Sequence, residues 1–134
     1  MRGLFTVVAV ALSAAVVAAP VPKVAKKTTE QKLLGTWRML KSDGTGDGPK
    51  GYEFYVVFKE KGEFELRYEY KDGTPNRAYA GTFKVIEDDK IDYSVTIGKR
   101  VKTEVLTIDK LTDSEVSWTD PDKLREELER VKEK

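Results

Sequence analysis

The 134-residue chain contains no cysteine and no histidine. Without cysteine there is no disulfide, no thiol nucleophile and no thiol to carry a lipid, so the core alone must hold the domain. Without histidine the commonest general base and zinc ligand is gone as well. The two absences exclude Ser-His-Asp and Cys-His catalysis and ordinary zinc centres. Charge of one sign is also missing, with 24 basic residues against 23 acidic ones. Nothing steers the chain toward a polyanion, and nucleic acid is not an expected partner.

Long apolar runs are equally scarce, with one exception at the start. Met1-Arg2 leads into an apolar stretch from Leu4 to Val17, broken by Thr6 and Ser13 and ending at Ala18-Ala19. This pattern is that of a secretory signal peptide, and it is short for a membrane span of about 20 residues. Pro20 would hinder cleavage after Ala19, so residues 1–18 are the expected signal peptide. The remainder is expected to be periplasmic or extracellular, with no stable membrane anchor after cleavage. Residues 19–134 are enough for one core and too few for two ordinary domains. Residues 19–28 bear proline and lysine without periodicity and read as a linker.

Thr28 or Thr29 can cap a short helical turn through Leu34, with Gln31 placed for a capping box, and Gly35 stops it. From there the period is two. Trp37 and Met39 share a face, Phe54, Val56 and Phe58 another, and Phe64, Leu66, Tyr68 and Tyr70 alternate with Glu63, Glu65, Arg67 and Glu69. Tyr79, Phe83 and Val85, then Ile91, Tyr93, Val95 and Ile97, then Leu106 and Ile108, then Val116 and Trp118 continue the inward rows, with Gly81 where backbone can approach closely. The expected fold is all-β: an antiparallel meander of seven or eight strands over residues 29–119, closed into a barrel, with a two-sheet sandwich as the alternative. Pro121, after a cap at Thr119 or Asp120, would open a C-terminal helix within residues 120–134. Its stripe of Leu124, Leu128 and Val131 would dock on Tyr55 and Val57 outside the barrel and leave the chain monomeric, with pairing to a second molecule as the alternative.

Gly35-Thr36-Trp37, directly after the helical turn and opening the first strand, resembles the Gly-x-Trp signature of lipocalin and calycin-type barrels. The layout extends the likeness through the strand pair around Lys61-Gly62, the Gly81-Thr82-Phe83 strand and the segment from Leu106 to Thr112. Over about residues 30 to 119 the chain looks like the small secreted lipocalin-like proteins that form paralogous families in planctomycete bacteria. The resemblance implies a fold rather than an activity. The chain lacks the later Thr-Asp-Tyr loop motif of full lipocalins and is shorter, which argues against a roomy cavity.

The candidate chemistry is thin. In the loop Asp43-Gly44-Thr45-Gly46-Asp47-Gly48 the acids alternate as in a calcium loop, but Phe54 stands where the twelfth-position glutamate is needed, so the loop reads as a turn. Glu63, Glu65 and Glu69 are the candidate carboxylates of a hydrolase, the distant alternative, but they fall on the face opposite the apolar row and read as a solvated strand face. Tyr68, Tyr70 and Tyr79 beside Arg67, Lys71 and Arg77 mimic the stacking surface of an oligonucleotide-binding barrel, without its charge. No catalytic residue, metal or cofactor is expected. Trp37 and Trp118 are the expected core anchors near the barrel base, and Tyr68, Tyr79, Phe83 and Tyr93 the expected lining of a ligand-binding mouth. The function that fits is an exported, non-enzymatic binding or interaction module. Its partner would be a protein or a small apolar ligand, since a barrel of about eight strands either fills with side chains or holds one small molecule.

Overall fold

A computed structural model describes residues 27–44 and 50–132. The expected signal peptide, most of the expected linker, and residues 45–48 of the glycine-rich loop lie outside the described residues. Helix α1 (Thr29–Leu33) begins with the reciprocal capping box of Thr28 and Gln31. Eight strands follow: β1 (Gly35–Ser42), β2 (Tyr52–Phe58), β3 (Glu63–Tyr70), β4 (Arg77–Ile86), β5 (Lys90–Ile97), β6 (Arg100–Leu111), β7 (Glu115–Thr119) and β8 (Arg125–Arg130). Each pairs antiparallel with the next, and β8 returns to β1, so the sheet closes into a barrel without an open edge. Closure satisfies both rows of backbone groups that an open meander would leave at its edges.

The period-two rows are the barrel interior. Trp37, Phe58, Ile91, Val95, Val116, Trp118 and Leu128 are each 1% exposed or less. Phe58 is the hub, with ring centroids 4.9 Å from Phe83, 5.3 Å from Phe64 and 6.1 Å from Trp118. Gly81 is required where β4 crosses β5, because a Cβ there would lie 1.9 Å from the Ser94 carbonyl oxygen.

One end of the barrel is sealed. Helix α1 buries Leu33 under it, the Leu33 carbonyl accepts a hydrogen bond from Trp37 Nε1 at 2.8 Å, and Thr29 Oγ1 donates to the Asp88 carbonyl at 2.8 Å. Arg130, from the end of β8, lies 4.3 Å from the Trp37 ring centroid and donates to the carbonyls of Leu34, Lys32 and Asp113 at 2.6 Å each. Gly35 takes a positive φ of 124°, and a Cβ on it would sit 2.6 Å from Arg130 Nη1. The glycine of the Gly-x-Trp motif thus makes room for the arginine that covers its tryptophan.

The expected C-terminal helix is not formed. Residues Arg125–Arg130 are β8 instead, and the barrel extends beyond residue 119. Glutamate, leucine, arginine and lysine favour helix, but β1 and β7 would otherwise each present an unpaired edge, and one strand satisfies both. The supposed stripe divides accordingly: Leu128 is 1% exposed and faces the core, whereas Leu124 is 39% exposed in the turn. Asp120 caps that turn, with Oδ1 accepting from the amides of Asp122 and Leu124 at 2.9 Å. Asp43 likewise has a structural task, its Oδ2 accepting from the Arg125 amide at 3.0 Å. Tyr55 and Val57 therefore serve β2 and receive no helix.

Candidate functional site

The end of the barrel opposite α1 is hollow. A cavity of about 210 Å³, open on one side, lies between the end of β1, the starts of β2, β6 and β8, and the ends of β3 and β7. Its floor is apolar, made by Met39, Val56, Phe64, Leu66 and Leu106. One wall is aromatic: the Tyr68 ring packs 4.8 Å from Phe54 and 5.6 Å from Tyr52. These residues face inward because β2 and β3 pair in the register Phe54↔Tyr68 and Tyr52↔Tyr70, which places each strand's alternate residues on one side.

The facing wall is polar. Lys102 and Glu104 come from β6, Asp120 from the turn after β7, Glu126 from β8 and Ser42 from β1. The register of β1 shifts between Met39 and Lys41, so the bulge brings Ser42 inward opposite Glu126. Trp118 Nε1 donates to Glu126 Oε1 at 2.8 Å and Ser42 Oγ to Oε2 at 3.5 Å. Burial pushes the Glu126 carboxyl above the usual carboxylate range; the negative charges of Asp120 and Glu104 add to this, while the Trp118 bond and Lys102 oppose it. Tyr93 donates its hydroxyl proton to Glu104 Oε1 at 3.0 Å. Burial first, then the Glu104 charge, holds the Tyr93 phenol well above its ordinary value. Lys102 Nζ stands 4.0 Å from Glu104 Oε2. Burial likewise raises Tyr68.

Of the four residues expected at the mouth, Tyr68 and Tyr93 line the cavity. Tyr79 does not; it stands behind Tyr68, with ring centroids 5.9 Å apart. Phe83 belongs to the core beneath, 5% exposed and packed on Phe58 and Phe64. Trp37 sits at the sealed base, but Trp118 lies higher, with its indole N–H turned to the cavity wall. Glu63, Glu65 and Glu69 alternate with the inward row of β3, and Glu65 is paired with Arg67 at 2.9 Å and Lys59 at 3.6 Å. The same pleat separates Arg67 from Tyr68, which breaks up the supposed stacking surface.

Sequence reasoning missed the polar wall. Counting back by two from Leu106 reaches Glu104 and Lys102, a signal that was present. Glu126 was hidden by its helical surroundings. Among the described residues no three acidic side chains are grouped to hold a metal ion.

A closed eight-stranded meander, sealed at one end and hollow at the other, is a barrel of the kind that encloses one small molecule or none. The chain belongs to the lipocalin-like domain family, whose model matches residues 33–118 and so ends before β8. Among solved structures it is similar to a mutant of the fluorescent protein UnaG, at 13% identity and a TM-score of 0.38, covering 74% of this chain and 95% of that one. Among curated proteins nothing matches the chain.

Proposed function

We propose that this is an exported, non-enzymatic binding protein that takes a single small molecule into the cup of its barrel. The observation that carries the reading is the cavity itself: about 210 Å³ of space above a close-packed aromatic core, with an apolar floor and convergent polar groups on one wall. Pockets for drug-sized ligands run from about 300 Å³ upward, so the occupant is smaller, or reaches in with one end. Export rests on the apolar segment before residue 19. A non-enzymatic role is favoured because the two best-placed carboxylates are already engaged, Glu126 by Trp118 and Glu104 by Tyr93.

Nitrogen-15 NMR tests the reading directly, because the two indole N–H groups report from opposite ends of the barrel. Compounds of six to ten non-hydrogen atoms with an apolar body, neutral and charged alike, should include members that move the Trp118 resonance with a Kd below about 1 mM, which corresponds to −4.1 kcal/mol, and leave Trp37 in place. Leu66→Trp, which fills the cup from its floor, should abolish the effect. A panel in which no compound moves Trp118 sinks the proposal.

A further inference from the structure

The cup's two walls differ in charge as well as in polarity. Glu104, Asp120 and Glu126 stand on one side with Lys102 as the one cation among the described lining residues. Lys102 is half-exposed and lies against Glu104. Among the described residues neither Asp120 nor Glu126 has a cation within salt-bridge distance. A carboxylate can accept at about four lone-pair positions. Glu126 uses one well, toward Trp118, and a second only at the 3.5 Å reach of Ser42. Across the cavity stand the rings of Tyr52, Phe54 and Tyr68, whose faces attract a cation within about 6 Å of the centroid.

We propose that the cup selects a short organic amine in its protonated form, with the ammonium group held by Glu126 and Glu104 and the apolar body lying between the aromatic wall and the floor. The inference rests on the reading of the cup as a ligand site and names the class of ligand. An anion would meet three carboxylates with only Lys102 to compensate. A neutral molecule would leave the inner carboxylates facing unpaired toward an apolar guest, at the expense of their hydration. An ammonium group with three N–H donors meets both requirements, since it offsets part of the wall's negative charge and fills acceptor positions that Trp118 and Tyr93 leave free. The volume suits a short amine rather than a long lipid, since it corresponds to roughly seven waters at about 30 Å³ each.

The test compares three compounds of one shape against the whole chain: 2-phenylethylamine, 2-phenylethanol and 3-phenylpropionate, titrated at neutral pH with the two indole N–H resonances as readout. The amine should bind at least tenfold more tightly than the alcohol or the carboxylate, shifting Trp118 and leaving Trp37 still. Glu126→Gln and Glu104→Gln should each weaken the amine at least tenfold without weakening 2-phenylethanol. If the alcohol or the carboxylate binds as tightly as the amine, or if both glutamine variants bind the amine like the parent, the amine assignment is overturned while the cup stands as a ligand site. If no compound moves Trp118, or if Trp37 moves equally, both readings fall together.

Discussion

Replacing Arg130 with alanine should remove about 3 kcal/mol of stability, although the residue lies at the end of the last strand and touches no ligand site. Its guanidinium serves three carbonyls and one aromatic ring at once. The carbonyls of Lys32 and Asp113 are exposed, and water replaces the lost donor there at little cost. The Leu34 carbonyl is partly buried, and leaving such an acceptor unpaired costs about 1–3 kcal/mol. The cation over Trp37 adds about 0.5–2 kcal/mol. Because the pieces share one side chain they do not simply add, and about 3 kcal/mol is the expected total. At about 4–8 °C per kcal/mol for a domain of this size, Tm should fall by roughly 12–24 °C. Arg130→Lys retains the charge but not the planar guanidinium that reaches three carbonyls, so it should recover about half. Urea unfolding followed by far-UV circular dichroism and tryptophan fluorescence measures both variants, with an unchanged m-value expected. A loss below about 0.5 kcal/mol for alanine, or full recovery with lysine, would refute the account of the sealed end.

Deleting residues 125–134 should abolish cooperative unfolding, because it opens the barrel along both β1 and β7; a soluble deletion variant with a sharp thermal transition would contradict closure by β8. Gly81→Ala should cost several kcal/mol, since its Cβ would lie 1.9 Å from the Ser94 carbonyl oxygen, whereas Gly73→Ala, with a positive φ of 90° but open space around it, should cost only about 1 kcal/mol; equal losses would remove the close-approach argument. Glu126 has its carboxyl pKa raised by folding, so the folded state holds the proton more tightly. This contribution is fully present below the unfolded value of about 4.3 and is lost as pH rises through the folded pKa. Glu126→Gln should therefore gain stability relative to the parent between pH 4 and pH 7.5, and a difference independent of pH would overturn the burial argument.

What the sequence determined was everything local or periodic. Alternation of apolar and polar residues specified seven strands and which side of each faces inward, because a pleated strand buries alternate side chains whatever its neighbours are. Thr28 with Gln31 specified the helical turn, and Gly35-Thr36-Trp37 the entry into β1, since caps and glycine conformations are decided within a few residues. Tertiary structure decided three other things. Whether Arg125–Arg130 is helix or strand depends on two open edges that exist only once β1 and β7 are in place, and long-range pairing overrode local propensity. Which aromatic residues line the cup depends on height along the barrel, so Tyr68 and Tyr93 reach it, while Phe83, on the same inward row as Tyr79, packs below. The acidic wall depends on both: Glu104, Asp120 and Glu126 lie far apart in the chain or within a misread element, and only closure of the barrel sets them around one space. Periodicity assigns a face, but the sum of registers around a closed sheet assigns a depth.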